Sequence, residues 1–451
     1  MKYFIETYGC QMNVHDSERM AGLLEQSGYD PADSDRDADI VVINTCSVRE
    51  RAEDKLYTRL GEIKLMGRDH GRDPLVVVAG CVAQQEGTKL IKRSKGIVDL
   101  VIGTQQVKML PMLAKQALTL RPAQGWPKVD GRIAIDNPYE DPSFPLGVVR
   151  RGDPVRSYVT IIEGCNDFCA FCVVPYTRGH ERMRSRAEIL ADVREAAESG
   201  RREVQLLGQI VNHYQAPDDP SCDFPALLEA VHEVPGIDRI RFASPHPRHT
   251  GDRLIAAVRD LPKVCKHLHL PVQSGSSRVL AMMRRRHSRE EYLDLVARIR
   301  AAIPNVQLST DIIVGFPGET DADFDETLSL TETVGYHSIY SFKYSERPNT
   351  LASKRMPDDV TDAEKKRRIV ALQSLQRSVQ SNLFQRSIGT THEVLVDATS
   401  RRHQWELTGR TSGNTVVNFP GPPEWLGQLV DVKIERTGPN SVWGQAVGDP
   451  S

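Results

Sequence analysis

The chain of 451 residues has no apolar run close to the roughly 18 residues a membrane-spanning helix needs; its longest runs, such as Leu75–Ala79, are strand-sized. No membrane association is expected. Net charge is also nearly absent. With 58 Lys and Arg against 60 Asp and Glu, the balance is −2, so only local basic clusters can argue for a polyanionic partner. Internal repeats and low-complexity tracts are missing, and disorder is expected only in linkers. The N-terminal MKYFIETYGC is interrupted by Glu6 and Gly9 and shows no cleavage site, so the expectation is a soluble cytoplasmic protein. Eight cysteines without a secretory signal then point away from a disulfide framework and toward metal or redox chemistry.

At about 150 residues per domain the length suggests three domains. Residues 1–118 alternate apolar strand-like runs (Tyr3–Ile5, Ile40–Ile43, Leu75–Ala79) with helical segments (Asp16–Ser27, Val48–Met66, Ala83–Lys95), the pattern of a parallel α/β sheet. Residues 119–150 carry Pro122, Pro127, Pro138, Pro142 and Pro145 with no sustained apolar period, and are expected to be a linker. Residues 151–381 alternate again, with candidate strands Val155–Ile162, Glu203–Leu207, Ile237–Ala243, Val264–Leu270, Val306–Val314 and Ser338–Tyr344. This predicts an incomplete (β/α)6 barrel with its chemistry at the C-terminal strand ends. Residues 382–451 hold short β runs separated by turns, a small all-β barrel.

Six of the cysteines form two trios. Cys165, Cys169 and Cys172 lie at spacings of four and three in GCNDFCAFC, just after the first strand of the middle domain. Thiolates so spaced favour zinc or an iron–sulfur cluster; His180 is a possible fourth zinc ligand. Cys10, Cys46 and Cys81 are 36 and 35 residues apart, yet each follows an apolar strand: YFIETYGC, DIVVINTC, LVVVAGC. Strand ends of a parallel sheet gather along one edge, so these three are expected to converge. The plain alternative is three buried structural cysteines. Cys265 falls in a candidate strand and is expected to pack; Cys222 lies in a polar loop and is expected to be exposed.

The Cys-x-x-x-Cys-x-x-Cys loop resembles the cluster-binding signature of the radical S-adenosylmethionine superfamily. The longer string CNDFCAFCVVPYTRGHERMRS (Cys165–Ser185) is similar to that of the MiaB-type tRNA methylthiotransferases. So are NTCSVRERAEDK (Asn44–Lys55), RIRFASPHP (Arg239–Pro247), LHLPVQSGSSRVL (Leu268–Leu280) and STDIIVGFPGETDADF (Ser309–Phe324). GRTSGNTVVNFPG (Gly409–Gly421) resembles the family's RNA-binding TRAM module. One departure stands out: the family's GQNVN is GQIVN here, with Ile210 in place of Asn.

The resemblance implies two [4Fe–4S] clusters. Cys165, Cys169 and Cys172 would hold the one that binds S-adenosylmethionine, and Cys10, Cys46 and Cys81 an auxiliary one linked to sulfur delivery. It implies methylthiolation at C2 of an isopentenylated adenosine 37 in tRNA, by a monomer served by a low-potential electron donor. Such a C–H bond has no acidic proton, so radical chemistry suits it better than acid–base catalysis. Candidate cofactor residues are Phe171 in the loop and Gly208, Gln209, Ser244, Gln273, Ser274 and Gly315 at strand ends; a plain strand-to-helix turn is the alternative for Gly315. Arg178, Arg182, Arg184 and Arg186 are candidates for RNA phosphate contact. Arg284–Arg286 form a second basic run. Lys365–Arg368, flanked by acids, reads as an ordinary helix face. Trp405, Phe419 and Trp443 suit either base stacking or core packing. Competing readings are a sibling methylthiotransferase acting on a ribosomal protein or on threonylcarbamoyl-adenosine, a non-catalytic iron–sulfur RNA-binding regulator, and a zinc module.

Overall fold

The computed structural model describes residues 1–47, 50–70, 73–120, 132–136, 149–400 and 405–450. It divides into two compact units. The first comprises Met1–Gly152, Glu163–Asn166 and Cys172–Arg182, the second Asp153–Ile162, Asp167–Phe171 and Met183–Ser451, so the boundary falls inside the cysteine loop. Among the described residues no helix is long and apolar enough to cross a membrane.

The first unit is a parallel sheet with strands β1 (Lys2–Tyr8), β2 (Asp30–Pro31), β3 (Ile40–Thr45), β4 (Leu75–Gly80), β5 (Leu100–Ile102) and β6 (Ile133–Ala134), in the order β2-β1-β3-β4-β5-β6. Every residue of β3 and β4 is buried, as unbroken apolar runs must be when helices cover both faces. One face packs α1 (Gln11–Gln26) through Met20 and Leu24; Leu110 and Ala114 of a later helix (Leu110–Leu120) join it there. The other face packs α2 (Glu50–His70), α3 (Cys81–Glu86) and α4 (Thr88–Arg93) through Leu56, Leu60, Val82 and Leu90.

Two expectations change here. The single helix expected over Ala83–Lys95 is two, because Gly87 at φ +48° ends one and starts the other. Of the expected linker, 121–131 and 137–148 lie outside the described residues, but Ile133–Ala134 pairs in parallel with β5 and completes the sheet.

In the second unit six parallel strands follow in chain order: β7 (Arg156–Thr160), β8 (Glu203–Leu207), β9 (Arg239–Phe242), β10 (His267–His269), β11 (Gln307–Val314) and β12 (Ser338–Lys343). They form two three-stranded sheets joined by a parallel bridge between Ile240 and Val264, and helices separate them: the incomplete barrel that the alternation predicts. Helix starts are locally encoded. Ser185, Ser288 and Thr320 each cap a helix in a reciprocal box with Glu188, Glu291 and Asp323. Residues 391–446 close a five-stranded barrel around Val394, Leu407, Phe419 and Val432. Cys265 is buried as expected. Cys222 is buried too (2% exposed), contrary to expectation, because its loop folds back onto the core beside Phe224 and Tyr214.

Two arginines of β9 fasten the small barrel. Arg239 donates to the Glu393 carbonyl at 2.9 Å. Arg241, 6% exposed, donates to the carbonyls of Thr411 (2.7 Å) and Ser412 (3.1 Å) and to Glu203 (2.8 Å). Removing one partner of a buried pair leaves the other uncompensated and costs about 3–5 kcal/mol. Arg241→Ala is expected to lower stability by that amount, and Arg241→Met, which retains volume, by less; urea unfolding of the two variants measures it.

Candidate metal centres

β1, β3 and β4 are neighbours in register: Tyr8 pairs with Thr45, and Thr45 with Gly80. Each of the three strands is followed at once, or after Gly9, by a cysteine. Cys10 caps α1, Cys46 follows β3 and Cys81 opens α3. The convergence expected from strand ends is realised. Cys46 stands between the other two thiols and hydrogen-bonds to both. That pulls Cys10 down to about 5 and Cys81 to about 7, with the Arg178 cation assisting, and drives Cys46 itself up. The two flanking sulfurs therefore favour the thiolate that metals bind.

A buried polar set lies behind them. The Asn13 side-chain oxygen accepts from the Cys10 thiol (3.3 Å) and backbone N–H (3.4 Å), and its amide donates to Asn44 (3.2 Å). Asn44 in turn donates to Ser17 (2.9 Å) and to the Asn13 carbonyl (2.8 Å). The packing is tight enough to demand glycine. A Cβ on Gly9 would lie 2.8 Å from the Cys46 Cβ. One on Gly80, whose φ is +91°, would lie 2.8 Å from the Thr45 carbonyl and overlap Asn44. Neither Asn13 nor Ser17 is signalled by the sequence pattern; both occur in the first two turns of a helix that looks merely amphipathic.

The second trio sits in the loop after β7. Cys165 is buried, and its N–H donates to the Gly179 carbonyl at 3.2 Å. Gly164 (φ +73°) is pressed against Gly179 and His180, so no side chain fits. Cys169 and Cys172 are half-buried. In the second unit, buried Arg285 donates to the Cys169 sulfur at 3.5 Å and to the Pro271 carbonyl at 2.8 Å. Of the basic run Arg284–Arg286, the middle residue thus serves the cysteine loop. His180, the possible zinc ligand, hydrogen-bonds Asn166 (3.0 Å). Among the described residues no three His, Cys, Asp or Glu side chains are gathered around a point as ligands of one metal ion. In a cubane each thiolate binds a different iron, so within the first unit Cys10 and Cys81, bridged by Cys46, are a donor set that suits a cluster.

The remaining site expectations divide. Phe171 packs beside Ala170, Met283 and Phe316. Gly208 follows β8, where a Cβ would press on Val211 (3.1 Å) and Ile162 (3.2 Å), and Gln209 beside it is half-buried. Ser244 (φ +60°) and Gln273 (φ +78°) hold left-handed backbone at strand ends; Gln273 continues the ladder with β11. Ser274 is wholly buried, its hydroxyl 3.5 Å from that of Thr327 and accepting from the Ser276 N–H at 3.2 Å. Gly315 (φ +71°) forms the strand-to-helix turn, where its N–H donates to Glu319 (2.9 Å) beneath Lys365. Ile210 is 6% exposed, at home where Asn would need partners.

Two of the RNA candidates require correction. Arg178 is 4% exposed and paired with Asp16 at 2.7 Å; Arg184 is 3% exposed and paired with Asp192 at 2.7 Å. Neither reaches solvent, so neither meets a phosphate. Arg182 pairs with Glu163 (3.3 Å) and Arg186, more exposed, with Asp219 (3.4 Å). In Lys365–Arg368 the helix face divides: Lys366 and Arg367 are exposed, as an ordinary solvated face would be, whereas Lys365 and Arg368 are buried against Asp358 and Glu319. Phe419 is core and Trp443 lies under Arg436, whereas Trp405 is 75% exposed.

Gly80→Ala is expected to cost more than about 1 kcal/mol, since the residue must hold positive φ against a filled neighbourhood. It should also lower the iron bound after anaerobic reconstitution. Thermal unfolding and an iron assay check the two effects.

Three family models match in sequence: the uncharacterized protein family UPF0004 over residues 2–103, the radical SAM superfamily over 159–331, and the TRAM domain over 385–447. They fall on the first sheet, the incomplete barrel and the small barrel. The tRNA-2-methylthio-N(6)-dimethylallyladenosine synthase of Geobacter metallireducens is 44% identical over 445 residues, covering 98% of this chain and 97% of that protein. The synthase of the same name from Hydrogenovibrio crunogenus is 44% identical over 452 residues, covering 99% and 94%. Among solved structures, the radical S-adenosylmethionine methyltransferase TsrM of Kitasatospora setae, with cobalamin and a [4Fe-4S] cluster bound, aligns with a TM-score of 0.56 at 14% identity, covering 78% of this chain and 77% of that one. That likeness bears on the fold alone. With near-complete coverage by relatives at 44% identity, the chain belongs to the tRNA-2-methylthio-N(6)-dimethylallyladenosine synthase family of the radical S-adenosylmethionine superfamily.

Proposed function

We propose that this protein methylthiolates C2 of N6-isopentenyladenosine at position 37 of tRNA, acting as a cytoplasmic monomer supplied by a low-potential electron donor. The observation that carries the reading is the pair of cysteine trios within a chain whose whole length matches the methylthio synthases. Cys165, Cys169 and Cys172 would hold the [4Fe–4S] cluster that takes S-adenosylmethionine, and Cys10, Cys46 and Cys81 the auxiliary [4Fe–4S] cluster. When bound, these groups supply one-electron chemistry at an unactivated C–H bond together with the sulfur and methyl that replace its hydrogen.

The protein's own part is binding, orientation and charge. Arg285 presents a fixed cation to Cys169. Asn13 and Asn44 orient the Cys10 sulfur from behind. Phe171 of the cysteine loop would supply an aromatic face for the adenine of S-adenosylmethionine, and Ser244 and Gln273, with their left-handed backbones after the strands, would help to shape the cofactor site. For RNA, Arg182, Arg186 and Trp405 remain candidates: two basic side chains, partly exposed beside an acidic partner, and an exposed aromatic face, in keeping with phosphate and base-stacking contacts.

Anaerobically reconstituted protein is expected to hold about eight irons per chain, from two four-iron clusters, and its Cys10→Ala/Cys46→Ala/Cys81→Ala variant about four. With reductant, S-adenosylmethionine and isopentenylated tRNA, mass spectrometry of the nucleosides should show the methylthio product from the wild type. The variant should still release 5′-deoxyadenosine without forming that product. Modification of threonylcarbamoyl-adenosine or of a ribosomal protein instead would reassign the substrate. Tightly bound zinc with little iron, or no 5′-deoxyadenosine, would end the reading.

A further inference from the structure

Arg178 was expected at the RNA surface and is found inside the first unit. It caps the short helix α5 (Val174–Thr177), which packs against α3, the helix that opens at Cys81. Its backbone carbonyl accepts from the Gln105 amide (2.7 Å), the neighbouring Thr177 carbonyl from the Thr104 hydroxyl (2.6 Å). Its guanidinium is clamped at 2.7 Å by Asp16, 3% exposed, two turns into the helix that Cys10 caps. Burial opposes the charge. The Asp16 carboxylate and the Cys81 and Cys10 sulfurs outweigh it and hold the side chain cationic.

A buried ion pair gives little net stability once its desolvation is counted, so its placement calls for another explanation. The placement here is specific: a charge that cannot be titrated away, fixed by backbone and side-chain partners, with its field on two sulfurs of the auxiliary trio. Iron–sulfur reduction potentials respond to nearby charge and to hydrogen bonding around the sulfurs.

We propose that Arg178, anchored by Asp16, is a positioning residue that raises the reduction potential of the cluster held by Cys10, Cys46 and Cys81. The inference rests on the functional reading above. Reduction adds negative charge to a thiolate-bound cluster, and a fixed cation beside it stabilises the reduced form. Loss of that cation makes reduction harder; loss of the Asp16 anion, which partly cancels it, makes reduction easier.

The test is an EPR-monitored redox titration in a full-length Cys165→Ala/Cys169→Ala/Cys172→Ala background, where only the auxiliary cluster reports. Arg178→Gln should shift the reduction equilibrium at least about threefold toward the oxidised cluster, and Asp16→Asn should shift it the other way. Arg178→Lys, which retains the charge, should stay near the background value. Iron content should be equal in all of them. If Arg178→Gln fails to load iron, the opposed shift in Asp16→Asn and the unmoved Arg178→Lys decide the matter. Unchanged potentials, or shifts of one sign in both charge-removing variants, overturn the proposal while leaving the functional reading intact. A background protein that binds no iron at all overturns the two-cluster reading, and this inference with it.

Discussion

Parallel register across three neighbouring strands is the constraint on which the first unit's chemistry depends. Tyr8, Thr45 and Gly80 lie in one row across β1, β3 and β4, so the chain leaves all three strands at the same edge. Neighbouring strands are about 4.8 Å apart, which brings three successive strand ends within roughly 10 Å. The 36 and 35 residues between the cysteines serve only to return the chain, by a helix, to the start of the next strand. A one-residue slip of either pairing would turn a cysteine to the other face. Burial of β3 and β4 on both sides, with helices on each, is what forbids the slip. Gly9, Gly80, Asn13 and Asn44 follow from that convergence: Asn13, Asn44, the Cys46 Cβ and the Thr45 carbonyl fill the space a Cβ at either glycine would need, and the two buried amides satisfy each other.

Much of this architecture was legible in the sequence because buried parallel strands are written as unbroken apolar runs. Glu203–Leu207 matches its expected bounds, and the other core strands differ from theirs only at the ends. Less legible were elements whose order comes from pairing rather than composition. Ile133–Ala134 is two residues long and becomes a strand only because β5 offers it an edge. Gly87 divides a helix through a backbone angle that periodicity does not carry. Cys222 looked exposed because its neighbours are polar, yet the loop turns its thiol onto the core.

The six-cysteine pattern was legible for the same reason as the strands, and the arginines were not. A run of basic residues in sequence reads as surface, but burial is decided by partners far along the chain. Arg178 meets Asp16, Arg368 meets Glu319, and Arg241 meets Glu203 and the carbonyls of Thr411 and Ser412. None of those pairings has a local signature. The near-zero net charge is consistent with them, since so many of the basic residues have acidic partners within the fold.

Arginine is also the residue type suited to such positions. A guanidinium stays charged at any ordinary pH, is more weakly hydrated than an ammonium, and offers several donors in one plane. It can be buried at lower cost than lysine and still direct a donor or a charge at a sulfur. Each unit uses this once. Arg178, pinned by Asp16, acts on Cys10 and Cys81, and Arg285, pinned by the Pro271 carbonyl, donates to Cys169. In both, one side of the guanidinium is fixed by an oxygen of the scaffold so that the charge cannot swing away. Thiolates crowded in a low-dielectric interior repel one another and would reclaim protons. The pinned Arg178 cation opposes that at Cys10 and Cys81 and helps to hold those two sulfurs as thiolates, the form that iron binds. Arg178, which in sequence resembles part of an RNA-binding surface, is in the fold the buried counter-charge of Asp16 and of these two thiols.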